Sequence, residues 1–188
     1  MLFSIIIPAS RRNRPLSHAL SSLLLQTYDQ WEAIVIGDEM FHHTPAHAPQ
    51  DRRIRFIARP TISTHGACAI GMHAARGNVI TFLLPDDYIS PTHLETHHDF
   101  LHSHPHLDIL FGKPTIIGSP YYEDTDHHAV HHVHKNPILG TTFIREHVCS
   151  ALDELPQYDL RSHLTELGYK THTISMPSYI YDRSHKNV

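Results

Sequence analysis

Apolar positions in this chain gather into short runs. "FSIII" (3–7), "WEAIVI" (31–36), "RIRFIA" (53–58), "NVITFLL" (78–84) and "LDILFG" (107–112) are each closed by turn-forming residues. Runs this short, apolar at consecutive positions, fit strands covered on both faces. Between the first two lies "PLSHALSSLLLQT", where Leu16, Leu20, Leu23 and Leu24 recur at helical spacing. "HGACAIGMHAARG" is rich in small residues and ends in a glycine, as a tightly packed helix does. A third helix is predicted from Pro91 to about His104, capped by Ser90 and started by Pro91.

Beyond residue 112 the pattern loosens. "ILGTTFIREHVCSAL" (138–152) reads as a strand turning into a helix. "YDLRSHLTELGYK" (158–170) reads as an amphipathic helix with Leu160, Leu164 and Leu167 inward and Gly168 as its stop. "THTISMPSYIYDRSHKNV" supplies a strand and a tail. Strands alternating with helices predict an α/β class with a mainly parallel sheet flanked by helices, in a single domain over 1–188.

Open sheets of this kind collect ligands beyond the carboxyl ends of their strands. Asp38, after "AIVIG", and Asp86, after "ITFLLP", both fall on that rim. "FLLPDDYISP" therefore has two readings. Asp86 and Asp87 either serve a metal and a phosphate, or they close a polar turn before the next helix.

Composition narrows the partners. The formal net charge is −4 and the 15 Lys and Arg residues are scattered apart from "RRNR" at 11–14, so no basic stripe for nucleic acid is present. No apolar run approaches the roughly 18–20 residues that span a bilayer. "MLFSIIIP" reads as a first strand instead of a leader, and Cys68 and Cys149 are expected as free thiols in a reducing, cytoplasmic compartment. The 21 histidines gather in "FHHTPAHAP", "HLETHHDFLHSHPH" and "DHHAVHHVHK". They decorate solvated faces, or they bind metal; in a helix, His127 with His131 and His128 with His132 would have the spacing of zinc or nickel ligands.

Several of these segments, in this order, resemble the inverting family 2 glycosyltransferases of the GT-A fold. "SIIIPASRRNRPLSHALSSLLLQTYDQWEAIVIGDE" is similar to the family's opening, and "ARGNVITFLLPDDYISPTHLE" to its D-x-D region. "HPHLDILFG", "GTTFIRE" and "LGYKTHTISMPSYIYDRSHKN" match later landmarks, so the resemblance spans the chain. It implies a nucleotide-binding half over about 1–112 and an acceptor-side half over about 113–188.

The resemblance also assigns roles. Asp86 is the metal-side acid of the D-x-D element, for Mg²⁺ or Mn²⁺, and His185 completes the metal site. Asp38 contacts the base or ribose, Pro8 and Ala9 line the nucleotide pocket, and Arg12 in "RRNR" offers a positive charge. Asp87 serves the acceptor side or caps the next turn. The implied activity is transfer of a sugar from an NDP-sugar, with UDP preferred, to a glycan or lipid-linked acceptor, compatible with peripheral association at the inner face of a membrane.

Three positions depart from the family pattern. Leu84 replaces the first acid of D-x-D, and Cys68 stands where an arginine is common. Gln157 replaces the aspartate that takes the acceptor's proton, which a carboxamide cannot do. Asp159 is the substitute base candidate, although it would sit roughly 200° around a helix from position 157. Asp153 and Glu154 are further candidates. Two other functions stay open on these grounds: an impaired nucleotide- or partner-binding module, and a histidine-rich metal-binding protein on the same scaffold.

Overall fold

The computed structural model describes residues 1–9, 16–37, 50–59, 63–112, 114–117, 141–150, 160–175 and 178–182. Strands β1 (Phe3–Ala9), β2 (Trp31–Gly37), β3 (Ile54–Ala58) and β4 (Val79–Phe82) form one parallel block. A seven-stranded sheet of order β3-β2-β1-β4-β8-β6-β9 is completed by β8 (Thr142–Arg145), β6 (Ile109–Phe111) and β9 (Thr171–Thr173). Of these, β8 alone runs antiparallel to its neighbours. A second sheet, β5-β10-β7, joins β5 (Tyr88–Ile89), β10 (Tyr179–Asp182) and β7 (Pro114–Ile117).

Every residue of β1 and β2 is buried, as the consecutive apolar runs predict for strands with both faces covered. Side-chain alternation divides those residues between two cores. Phe3, Ile5, Ile7, Ala33 and Val35 pack under α1 (Leu16–Leu24) and α3 (His93–Ser103). Ile6, Ile34, Ile36, Ile80 and Phe82 pack under α2 (Thr64–Ala74), α4 (Glu146–Ser150) and α5 (Leu160–Glu166). The result is a three-layer α/β arrangement whose parallel strands bring Ala9, Gly37 and Ala58 into register at their carboxyl ends.

Individual residues explain the helix positions. Ser63 caps α2 by accepting a hydrogen bond from Gly66 N–H at 3.1 Å. Gly71 lets that helix lie close on the sheet, because a Cβ there would meet Ile6 Cγ2 at 2.4 Å. Gly168 ends α5 at φ +87°, with Gly168 N–H bonded to Thr165 O at 3.0 Å and Tyr169 N–H to Leu164 O at 3.1 Å. That paired pattern is a Schellman motif, and Tyr169 packs against the core cluster that contains Leu164.

Some expectations shift in detail. The buried stripe of α1 is Leu16, Ala19, Leu20 and Leu23, while Leu24 is 37% exposed because it lies one position beyond the apolar face. Leu164 is buried, but Leu167 is 55% exposed because it falls past the last turn of α5. The third helix begins at His93 after Thr92, not at Pro91, and Ser90 contributes only its carbonyl, bonded to His93 N–H at 3.0 Å. Among the described residues no helix is long and apolar enough to cross a membrane.

Candidate functional site

The rim of interest lies where β1, β2 and β4 end. Leu83 N–H still bonds Ile6 O at 3.0 Å, and the chain then turns sharply. Asp87 N–H reaches back to Leu84 O at 3.1 Å, closing a β-turn with Pro85 second and Asp86 third. Proline in that place pre-sets the backbone for the turn, so the local sequence "LPDD" itself directs Asp86 to the tip. Asp86 is 6% exposed and Asp87 is fully buried.

Asp87 is tied to a strand far along the chain. Its Oδ2 accepts a 2.6 Å hydrogen bond from the hydroxyl of Tyr179 on β10, and the same hydroxyl accepts one from Leu84 N–H at 3.3 Å. The position that family members fill with the first acid of D-x-D is thus held here through the leucine's backbone. At the head of α3 the capping work falls to Gln26, at the end of "LLLQ". Its Oε1 accepts from Leu94 N–H at 3.0 Å, and its Nε2 donates to Ser90 O at 2.7 Å and Ser22 O at 3.0 Å. Thr27 adds a backbone bond to Pro91 O at 2.9 Å and a hydroxyl bond to Glu95 Oε2 at 2.8 Å. The two family-like neighbourhoods, "LLLQTY" and "PDDYISP", are therefore one structural unit behind the turn.

Beneath this unit sits a buried aromatic and imidazole cluster. His93 and His97 are 2% and 1% exposed and pack with Phe143, while His93 also faces Tyr179. His93 Nδ1 lies 2.6 Å from Ser178 Oγ. His97 Nδ1 lies 2.7 Å from the His93 carbonyl, which can only accept, so the proton is on Nδ1 and Nε2 has no partner among the described residues. Burial pushes His97 down to about 4 and His93 well below its ordinary 6.5, with the two rings' mutual repulsion adding to His93. Both are neutral core residues at pH 7.

Of the residues expected at the site, Pro8 and Ala9 stand at the carboxyl end of β1, buried, and Asp86 stands in the turn after β4. Arg12, Asp38, Asp153, Glu154, Gln157, Asp159 and His185 lie outside the described residues, as do His127, His128, His131 and His132. Cys68 is fully buried among Ile6, Ile34 and Ile36, so it faces the core and not the rim. Both cysteines are free, and burial pushes each thiol up to about 12, which leaves them inert. An open polar depression lined by Asp29, Gln30, Gln50, Asp51, Arg52 and Arg53 lies at the amino ends of β2 and β3, the edge away from the turn.

Among the described residues no three His, Cys, Asp or Glu side chains gather as a metal site. The donor type nonetheless fits a hard cation. A rim carboxylate such as that of Asp86 suits Mg²⁺ or Mn²⁺ when phosphate oxygens and water complete the shell. Tyr179 and Gln26 escaped the sequence reading. The family-like "LLLQTY" pointed to Gln26 as a marker without its partners, and nothing local connects Tyr179 with a residue 92 positions away.

The chain is 28% identical over 121 residues to the Escherichia coli UDP-Glc:alpha-D-GlcNAc-diphosphoundecaprenol beta-1,3-glucosyltransferase, covering 63% of this chain and 47% of that one. It spans less than half the length of the curated relatives it matches. S. aureus TarS, solved with UDP-GlcNAc, superposes with a TM-score of 0.73 at 18% identity, over 97% of this chain and 59% of that one. A Pyrobaculum calidifontis mannosyltransferase, solved with GDP-Man and Mn²⁺, does so with a TM-score of 0.67 at 12% identity, over 95% and 56%. At such identities the structural likenesses establish the shared GT-A fold. Residues 4–156, most of the chain, match the family model for glycosyl transferase family 2, and the chain belongs to that family.

Proposed function

We propose that this chain transfers a sugar from an NDP-sugar, with UDP the preferred nucleotide, to a carbohydrate or lipid-linked acceptor with inversion at the anomeric carbon. The observation that carries the reading is Asp86, directed by a proline turn to the carboxyl rim of a parallel sheet in a chain of this family. The uridine preference and the acceptor class follow the UDP-GlcNAc bound to TarS and the glucosyltransferase named above.

In this reading Pro8, Ala9, Arg12 and Asp38 hold the nucleotide, and Asp86, with His185, holds Mg²⁺ or Mn²⁺ beside the diphosphate. A divalent cation there supplies charge neutralisation for the departing diphosphate. Asp159 or a neighbouring carboxylate takes the acceptor hydroxyl's proton. The acceptor oxygen then bonds to the anomeric carbon as the bond from that carbon to the diphosphate breaks, in one displacement. The site belongs to the cytoplasm, where a peripheral position at the membrane would meet lipid-linked acceptors.

The test is calorimetric titration of UDP and of GDP into metal-stripped protein, with and without Mn²⁺, repeated on Asp86→Ala. Metal-dependent UDP binding lost in the variant is the expected result; absence of nucleotide binding under every condition defeats the proposal. Leu84 and Gln157 favour one second reading, a family 2 module that binds nucleotide without turnover. It predicts intact UDP binding with no release of UDP from UDP-sugars, whatever acceptor is supplied.

A further inference from the structure

The turn that presents Asp86 is anchored from the far end of the chain. Tyr179, 1% exposed, contacts both ends of that turn: it donates to Asp87 Oδ2 at 2.6 Å and accepts from Leu84 N–H at 3.3 Å. Burial, followed by the charge of Asp87, raises the phenol well above its ordinary 10, so the hydroxyl stays a donor. The strand beneath it is held in place independently. Tyr179 pairs with Ile89 across β10 and β5, Ser90 N–H bonds Ser178 O at 2.8 Å, and His93 Nδ1 meets Ser178 Oγ at 2.6 Å. Movement of the turn relative to β10 therefore breaks a charge-assisted hydrogen bond in a buried setting, where such bonds are strongest.

We infer that Tyr179 is a positioning residue for the donor site, fixing the Leu84–Asp87 turn so that Asp86 meets the cation on the nucleotide diphosphate, with Asp87 as the turn's anchor. The inference rests on the nucleotide-sugar reading above. A group that orients a metal ligand from behind is worth about 10- to 100-fold in metal affinity when removed. A merely structural tyrosine weakens every property of the site together.

The experiment titrates UDP into the full chain across a range of Mn²⁺ concentrations, for the native protein, Asp86→Ala, Tyr179→Phe, Asp87→Asn and the Asp87→Asn/Tyr179→Phe pair. Tyr179→Phe is expected to raise the half-saturating Mn²⁺ concentration about 10-fold or more, while metal-free UDP affinity stays within about 2-fold. Asp87→Asn keeps an oxygen for the tyrosine to donate to, and is expected to lie nearer the native protein. Should the buried Asp87 carboxylate prevent Tyr179→Phe from folding, the same shift is read between Asp87→Asn and the pair. An unchanged Mn²⁺ requirement overturns the inference, as does a parallel fall in metal-free and metal-dependent affinity. Loss of the Mn²⁺ effect in Asp86→Ala with an unshifted half-saturating Mn²⁺ concentration in Tyr179→Phe defeats this inference alone. A native protein with no Mn²⁺ effect, or an Asp86→Ala variant that keeps it, defeats the metal reading and this inference with it.

Discussion

Gly71 sits where α2 crosses the middle of the sheet, and its side is filled by Ile6 and Ile36. Alanine would gain about 1 kcal/mol of helix propensity there. Its Cβ, however, would stand 2.4 Å from Ile6 Cγ2 and 3.0 Å from Ile36 Cδ1, atoms of fully buried side chains with nowhere to go. Overpacking of this kind costs about 1–3 kcal/mol, so Gly71→Ala is expected to destabilise the protein, measured by chemical denaturation. Gly77→Ala is expected to cost more, because its Cβ would meet backbone, Leu2 O at 2.6 Å. The small-residue composition of this helix was legible in the sequence; which glycine touches the sheet was not, since that depends on the helix's rotation against β1.

His97 gives a pH prediction at the same scale. Its folded value, about 4, lies below the ordinary 6.5, so the unfolded chain binds the proton more readily. The stability that neutral His97 contributes is complete above pH 6.5 and is lost as pH falls from there towards 4. The shift corresponds to about 3 kcal/mol over that interval, with His93 displaced in the same direction. Denaturation midpoints between pH 4.5 and 7.5 should fall steeply on the acid side, and His97→Phe should flatten the profile. The histidine run "HLETHHDFLHSHPH" has two populations that composition merges: the two core rings of His93 and His97, and rings that are half-buried or exposed, on α3 and just beyond it. The discriminating signal was position, since His93 and His97 share the buried face with Leu94 and Leu101.

Elements are joined here by side chains from outside them. The start of α3 has no side-chain cap of its own, and Gln26 from the end of α1 supplies the missing acceptor while tying down Ser90. Gln26→Ala removes three hydrogen bonds and leaves a helix-terminal N–H without its partner. We expect a loss of about 1–3 kcal/mol. At about 2–4 °C for each kcal/mol in a domain of this size, thermal unfolding should show it plainly. Near the amino ends of the strands a second polar unit does similar work. Glu32 accepts from Ser4 Oγ and Arg76 N–H, each at 2.7 Å, and pairs with Arg55 at 3.2 Å, while Arg55 also reaches the Ala74 carbonyl. It joins β1, β2, β3 and the end of α2, and Ser4 holds Gly77 N–H at 2.9 Å.

Across the whole molecule, binding and stability are linked. If UDP and Mn²⁺ bind the folded chain alone, UDP at about 100 times its Kd adds about 2.7 kcal/mol. The melting temperature should then rise by about 5–10 °C in scanning calorimetry. GDP at equal concentration should produce a smaller rise, and Mn²⁺ should enlarge the increment in the native protein but not in Asp86→Ala. The amino acid sequence alone determined the α/β class, the order of most of the elements, and the stop at Gly168, because each follows from local periodicity or from one residue's backbone freedom. It also determined the rim position of Asp86, since "LPDD" after an apolar run makes a turn wherever the strand is placed. Only the tertiary structure decided that Asp87 belongs to Tyr179, that Gln26 serves α3, that Cys68 faces the core, and that β10 pairs with β5. Those are contacts between residues far apart in the chain. Their formation depends on strand order, register and helix rotation, which many sequences with the same local pattern could settle differently.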